Sequence, residues 1–214
     1  MSPDGKASEV RIARDDRIAE QRISHALSTA VSGVARSSSE LVLVCVGTDR
    51  STGDALGPLV GSKLAGEFVG ARVRVYGTLD EPVHAVNLGR VIKSVETDHP
   101  GALLVAVDAC LGRPENVGQI TVRSGPLRPG TGVRKELPAV GSCHVLGIVN
   151  IGGFMEHVVL QSTRLGLVLH MAETIAGGLS VYIRAAGFDR AAARSAGNVC
   201  ALRGVELPGG ASRA

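Results

Sequence analysis

Aromatic residues are nearly absent from this 214-residue chain, which has no tryptophan, two tyrosines and three phenylalanines. A hydrophobic core must therefore be built from valine, leucine, isoleucine and alanine. The scarcity also removes the side chains on which nucleic-acid bases usually stack, and no dense block of lysine and arginine is present to follow a phosphate backbone. With a net charge of only +3, the sequence predicts that nucleic acid is not a partner.

Paired cysteine motifs and an apolar N-terminal run are also missing. The cysteines are widely spaced, include no C-x-x-C pair and lie mostly in apolar runs, which predicts buried, reduced thiols; they are Cys45, Cys110, Cys143 and Cys200. The first forty residues are polar and arginine-rich, which predicts neither a secretory signal nor a membrane span. We therefore expect a cytoplasmic protein.

The chain does contain apolar runs that alternate with helical patterns. A small-aliphatic, glycine-rich composition suits parallel strands covered by helices. Strands are predicted at 41–46, 73–76 and 103–107, with helices over 56–68 and 82–99 between them. This order requires a parallel sheet with right-handed crossovers. The predicted fold is an α/β three-layer sandwich with a mostly parallel central sheet flanked by helices.

Weaker patterns occupy the two ends of the chain. Residues 1–10 are predicted to lack regular structure, and Arg14 to Arg36 are predicted to form a polar helix. The later patterns are a short strand at 119–122, a glycine and proline loop at 125–132, an apolar run at 142–149 and helices over 154–176 and 181–203. We expect an N-terminal polar segment and helix over residues 1–36 and a single α/β domain over residues 37–214.

Two aspartates follow predicted strands at the same edge of this sheet. Asp54 lies in the polar loop after the first strand, and Asp108 directly follows residues 103–107. A doubly wound sheet commonly places its first strand between the next two, so both carboxylates would face the crevice where such folds bind ligands. A carboxylate pair there can divide acid and base roles and titrates as a unit. The alternative is structural, with Asp54 capping a helix and Asp108 capping a strand end.

Histidine 144 is a third candidate, because it opens the apolar run at 142–149. It could complete a metal site with the two aspartates, position a carboxylate or water, or be a hydrogen-bonded structural residue. Cys143 beside it suggests a Cys/His nucleophile, but sequence neighbours on a strand point to opposite faces. That pair is therefore not expected to meet.

Three further residues are predicted to bind at the crevice: Asp49, Thr78 and Glu81. Asp49 precedes Asp54 in the same loop and could equally cap a helix. Asp80, next to Glu81, is predicted to cap a helix that Pro82 begins. The glycines around Asp54 are expected to let the backbone approach a ligand, but no Gly-Lys-Ser/Thr follows them to make a phosphate loop.

Three separated motifs carry a resemblance to a known family: Gly-Thr-Asp-Arg-Ser-Thr-Gly-Asp-Ala-Leu-Gly-Pro at 47–58, Gly-Thr-Leu-Asp-Glu-Pro at 77–82 and Asp-Ala-Cys-Leu-Gly-Arg at 108–113. Over roughly residues 40–175 the chain resembles the YyaC-type sporulation proteins. Members are described as candidate spore proteases, related to the germination protease that degrades small acid-soluble spore proteins. That protease uses two aspartates, in Pro-Asp-Ala-Leu-Gly-Pro and Ile-Asp-Ala segments, which match Asp54 and Asp108. Residues 129–133 and 135–137 also echo it.

Hydrogenase-maturation endopeptidases are similar in fold. In those enzymes an acidic residue, an aspartate after a strand and a later histidine meet at nickel, and the matching positions are Asp54, Asp108 and His144. The chain departs from the germination protease at residues 50–52, Arg-Ser-Thr, and that protease lacks the histidine.

The resemblance implies an aspartate-dependent endopeptidase, with no cofactor or metal assigned, that acts on a protein in the forespore or mother cell of a sporulating bacterium. The alternative from another class is a non-catalytic binding or checkpoint protein that recognises a sporulation factor on the same fold. A metal-dependent hydrolase is a third, weaker alternative.

Overall fold

Six strands form one sheet in this computed structural model, which describes residues 9–33, 38–129 and 137–190. Their order across the sheet is β1-β5-β6-β4-β2-β3. Their bounds are β1 Glu9–Ala13, β2 Leu41–Cys45, β3 Val73–Tyr76, β4 Leu103–Gly112, β5 Gln119–Ser124 and β6 Cys143–Ile151.

The centre of the sheet is parallel. β2 lies between β3 and β4, with Leu43 in register with both Val75 and Val105, and β4 pairs in parallel with β6. β5 is antiparallel to β6 and to β1. All five residues of β2 are buried, because a central parallel strand is covered on both faces. The predicted placement of the first strand between the next two is confirmed.

Helices cover both faces of the sheet and make three layers. They are α1 Ala19–Ala30, α2 Leu56–Glu67, α3 Leu88–Asp98, α4 Glu156–Gln161 and α5 Leu165–Ala185. α1, α2 and α5 share the larger core with one face, and α3 packs on the other. The prediction of an α/β sheet flanked by helices is confirmed.

The N-terminal segment differs from its prediction. Residues 9 and 10 belong to an edge strand rather than to an irregular tail, because Ile12 alternates inward and β1 pairs with β5. The helix is shorter than residues 14–36 and buries Ile23 and Leu27 in the larger core. This segment therefore contributes a strand and a helix to the same sheet and core.

The helix expected from Pro82 begins instead at Leu88. Val83 is used by the sheet, since it bridges to Val46, and Asn87 closes the turn after it. The Asn87 amide accepts a hydrogen bond from the His84 N–H at 2.8 Å and donates one to the Pro82 carbonyl at 2.9 Å. The predicted role of Asp80 as a helix cap is therefore wrong.

The predicted boundary between the two C-terminal helices, at residues 177–180, is also wrong. The break falls at residues 162–164, and α5 runs through the predicted gap at 177–180. A Cβ on Gly177 would lie 2.3 Å from Glu20 Oε1, and one on Gly178 would lie 2.6 Å from Ile23. These glycines serve close packing of α5 on α1 rather than a turn. The part of the last pattern beyond residue 190 lies outside the described residues.

By length and composition alone α5 could cross a membrane, with a mean hydropathy of 1.3. However, 61% of that window is buried inside the protein. Its apolar residues, among them Val168, Met171 and Ile175, belong to the larger core. The hydropathy of α5 is thus accounted for by its packing against α1, α2 and the sheet.

Candidate functional site

The candidate site lies where β2 ends and β4 continues. The Val46 N–H donates a hydrogen bond to the Val107 carbonyl at 2.7 Å. This is the last sheet-like bond between the ends of the two strands, β2 and β4, on this side. β4 runs on along β6 as far as Gly112. Asp108 therefore lies inside a strand, not just after one as predicted, at the first position whose β2-facing side has no strand partner.

Glycines hold the Asp54 loop against the end of β2. Gly47 has φ +147°, and a Cβ there would lie 2.0 Å from the Asp54 carbonyl oxygen. The Thr48 N–H donates to the same oxygen at 3.1 Å. A Cβ on Gly57 would lie 2.0 Å from the Val46 carbonyl oxygen. At these positions the glycines permit the chain to approach itself. The expected approach of the backbone to a ligand stays a prediction.

Asp54 lies half-buried in a 3-10 turn, Gly53–Ala55, directly before α2. No side chain caps either this turn or α2, so the capping alternative for Asp54 is not observed. Burial raises the pKa of the Asp54 carboxyl, while the Ser51 hydroxyl and the charge of His157 act in the opposite direction. The Ser51 hydroxyl is buried and makes no well-aligned hydrogen bond.

Asp108 is the more strongly perturbed carboxyl. Burial raises its pKa from the ordinary 3.8 to about 8, and the negative charge of Asp54 adds to the rise. The Ala109 N–H donates to Asp108 Oδ1 at 2.8 Å and opposes it. The two carboxyl groups are therefore close enough to interact and have unequal surroundings. With a pKa of about 8, Asp108 is the carboxyl that keeps its proton at neutral pH.

His144 is buried, with 8% of its surface exposed. Its Nδ1–H donates to the Gly125 carbonyl at 2.9 Å, and burial together with Arg123 lowers its pKa. It is in register with Ala106, whereas Asp108 is in register with the residue two positions beyond His144. The charge that acts on the Asp54 carboxyl comes from His157, and the charge that acts on the Asp108 carboxyl comes from Asp54. His144 is thus a neutral, hydrogen-bonded residue, and its role in binding stays a prediction.

The nickel site implied by the resemblance does not fit these side chains. Within residues 9–33, 38–129 and 137–190, no three histidine, cysteine, aspartate or glutamate side chains are grouped so that they could hold a metal ion. The donor set of Asp54, Asp108 and His144 is incomplete, because His144 is held beneath Gly125.

The three predicted binding residues lie on loops at the rim. Thr78 Oγ1 accepts from the Glu81 N–H at 3.0 Å, and the Thr78 N–H donates back to the Glu81 carbonyl at 3.2 Å, so the pair closes a turn. The Glu81 side chain is exposed, as is that of Asp49. Their roles in binding stay predictions. Cys143 lies in the larger core, on the face opposite to His144 as expected.

Two residues near Asp54 were missed from the sequence. Ser51 is a buried serine in a polar loop and was not among the predicted site residues. His157 lies on α4, more than a hundred residues away along the chain. No local pattern connects it with Asp54, because its electrostatic effect on Asp54 depends on how α4 packs.

Large apolar side chains are exposed just after β6, beside this crevice. Phe154 is 79% exposed in a chain with only three phenylalanines. Ile151, Met155 and Val158 are also exposed, and Met155 has the only positive φ, 45°, of a non-glycine residue in the described part of the chain. We call these four residues the apolar rim. Exposed apolar groups of this kind mark sites of protein interaction, and a strained backbone is commonest at functional sites.

Comparison with known proteins gives the family. The chain belongs to the family described as a protein of unknown function, DUF1256, which it matches over residues 11–178. It is 49% identical over 170 residues to the uncharacterized protein YyaC of Bacillus subtilis (strain 168), covering 79% of this chain and 82% of that protein. The predicted resemblance to YyaC-type proteins is thereby confirmed, while the link to the germination protease stays a prediction.

A solved structure is also similar. The NiFe hydrogenase maturation protease HycI from Thermococcus kodakarensis KOD1 aligns with a TM-score of 0.47 and 20% identity, over 74% of this chain and 98% of its own.

Proposed function

We propose that this chain is an aspartate-dependent endopeptidase that hydrolyses a peptide bond in a protein made during sporulation or germination. One observation carries the proposal: Asp108 is a buried carboxyl whose pKa is raised to about 8, and the negative charge of Asp54 adds to that rise. A protonated carboxyl beside an ionised one is the arrangement by which two carboxyl groups share acid and base roles at neutral pH.

The roles follow from the two environments. The Asp54 carboxylate takes a proton from water while the resulting hydroxide adds to the peptide carbonyl carbon. Asp108 gives its proton to the carbonyl oxygen. Asp54 then passes its proton to the amide nitrogen as the C–N bond breaks, and Asp108 recovers a proton from the diol. The products are a carboxylic acid and an amine, and both side chains return to their starting states.

The apolar rim supports a protein as the substrate. Phe154 and Met155 would offer an unfolded or extended segment an apolar surface next to the two carboxyl groups. The YyaC-type resemblance supports a role in a sporulating bacterium, and we propose the cytoplasm of the forespore or mother cell as its location. Neither nucleic acid nor a membrane is part of this proposal.

The test uses the full chain and proteins extracted from dormant spores. New N-termini that appear after incubation are identified by mass spectrometry. Cleavage is expected with the unmodified protein and with Asp189→Asn, an exposed aspartate beyond α5. Asp54→Asn and Asp108→Asn are each expected to remove cleavage while the melting temperature stays the same or rises. A fully active Asp108→Asn protein would contradict the mechanism.

The second candidate is a binding or checkpoint protein, and the apolar rim favours it equally. It predicts no cleavage by any version, but capture of a spore protein that is lost when Phe154 is replaced. Cleavage that depends on Asp54 would exclude it.

A further inference from the structure

The last part of β4 has a neighbouring strand on one side only. Its pairing with β2 ends at Val107, whereas its pairing with β6 continues to Gly112. The Val107 carbonyl is bonded from the end of β2, and the Gly112 carbonyl is bonded from the residue after β6. Successive residues of a parallel strand bond to alternate sides, and the irregularity in this pairing adds its extra residue to β6. The backbone groups of Ala109 and Leu111 therefore point to the side from which β2 has turned away.

These backbone groups have no strand to bond on that side. The Ala109 N–H is bonded instead by a side chain, Asp108 Oδ1 at 2.8 Å. In the part of the chain that the structure describes, no hydrogen bond is made by the Leu111 N–H or to the Ala109 and Leu111 carbonyls on this side. Both residues keep part of their surface exposed. Such a row of backbone donors and acceptors is a template for a further strand.

The two outer edges of the sheet are protected against such pairing. At β3 the Arg74 side chain donates to two carbonyls at and before the start of the strand, at 3.0 and 3.1 Å. At β1 the Arg22 side chain donates to the Arg11 carbonyl at 3.3 Å. Charged side chains at an edge oppose the addition of another chain. Residues 109–111 are Ala-Cys-Leu, with neither charge nor proline, so this inner edge lacks that protection.

We infer that an extended segment of a substrate protein adds to the sheet beside Ala109 and Leu111, in the place that a longer β2 would have occupied. Only a polypeptide main chain offers donors and acceptors at the spacing of a strand, about 3.3 Å per residue. In recognition of this kind the backbone provides affinity and the side chains provide specificity. Ile151 of the apolar rim is in register with Gly112, so the rim continues from the end of this edge and gives the segment an apolar surface.

The added strand passes beside the two carboxyl groups of the candidate site. Asp108 is the first residue of this edge, and Asp54 lies in the loop that follows β2. A substrate carbonyl that accepts the Ala109 N–H replaces Asp108 Oδ1 as its acceptor. Because that hydrogen bond opposes the rise in the Asp108 pKa, its replacement favours the protonated acid. Cleavage of the bound segment rests on the proposed function, whereas the pairing does not.

The pairing is tested with a random dodecapeptide library displayed on phage and selected on the immobilised full chain. Selected peptides are synthesised, and their dissociation constants are measured by fluorescence anisotropy. Leu111→Pro removes the N–H that faces the added strand and no bond to β6, an orientation in which a sheet edge tolerates proline. It should weaken binding about tenfold or more. Leu111→Ala is the matched control, since it loses the same side chain but keeps the N–H, and should bind within about threefold of the unmodified protein.

N-methylation of the peptide, one residue at a time, tests the same pairing from the side of the ligand. Affinity should fall at alternate positions, because alternate N–H groups of a strand face its neighbour. This measurement uses the unmodified protein and decides the question even if Leu111→Pro does not fold.

Failure to select any peptide, an N-methylation profile without alternation, or equal losses in folded Leu111→Pro and Leu111→Ala would overturn the inference. Cleavage of spore proteins that is unaffected by a folded Leu111→Pro would overturn it too, while leaving the endopeptidase in place. Alternating N-methyl effects without cleavage of any peptide or spore protein would confirm the pairing and contradict the proposed endopeptidase.

Discussion

Replacement of Asp108 by asparagine should make the protein more stable, and increasingly so as the pH rises. The pKa of Asp108 is raised by burial from 3.8 to about 8 in the folded protein. A group with a raised folded pKa contributes stability that is present below its unfolded pKa and is lost as the pH rises through the folded one. Asparagine keeps an oxygen for the Ala109 N–H and never ionises, so the variant lacks this loss.

The magnitude follows from the separation of the two pKa values. Each unit corresponds to about 1.4 kcal/mol, so the upper limit at about pH 7 is roughly 4 kcal/mol. Water penetration and relaxation around a partly buried carboxyl reduce such values, and about 1 to 2 kcal/mol is the working expectation. For a protein of this length, that is a rise of roughly 3 to 8 °C in melting temperature.

The assay is thermal unfolding of the unmodified protein and Asp108→Asn at a series of pH values from about 4 to about 8.5, which span the titration. The two melting temperatures should be close at the acidic end and diverge toward the alkaline end. Asp189→Asn makes the same replacement at an exposed position and should give a small difference, within about 0.5 kcal/mol. A difference for Asp108→Asn that does not change with pH would refute the reasoning, because it would show that Asp108 is not desolvated.

Two other substitutions test the supports of the site. Gly47→Ala should destabilise the protein by about 3 kcal/mol or more, because its Cβ would meet the Asp54 carbonyl oxygen at 2.0 Å at a positive φ. The control is Gly66→Ala in α2, which has open space around it and should stabilise the protein by about 0.5 to 1 kcal/mol. Equal melting temperatures for the two variants would contradict the predicted clash at Gly47. Phe154→Ser should change the free energy of unfolding by no more than about 0.5 kcal/mol and should reduce capture or cleavage of spore proteins at least tenfold. Unchanged capture would show that the apolar rim does not take part in binding.

The sequence was sufficient for the centre of the fold. The predicted strand at 73–76 matches β3, and the one at 41–46 is one residue longer than β2. β2 is a wholly apolar run buried on both faces, which leaves little choice of structure. β3 is an edge strand in which Arg74 alternates with Val73 and Val75, a period of two that is typical of a strand. These runs and the connections between them predict that Asp54 and Asp108 lie near each other, and the effect of the Asp54 charge on Asp108 agrees with that prediction.

Features that depend on packing between distant segments could not be predicted in the same way. Gly177 and Gly178 resemble a helix break locally, yet they are a contact between α5 and α1. The sequence pattern predicts that Val83 is a helix residue, yet it pairs with the sheet through a bridge to Val46. His157 appears as an ordinary exposed helix residue until α4 is seated on Gly53.

The difference in length between β2 and β4 explains why an aspartate in this position is buried beside a second carboxyl group. Had β2 continued beyond Cys45, Asp108 would lie in the middle of a paired strand, and the space on its β2 side would be filled by backbone. Because β2 turns away at Gly47, the loop that follows brings a second carboxyl, Asp54, to that side. The same turn that opens the crevice therefore supplies both the burial and the neighbouring charge that keep the proton on Asp108. Substitutions that shift this turn should alter the titration of Asp108 before they alter the sheet.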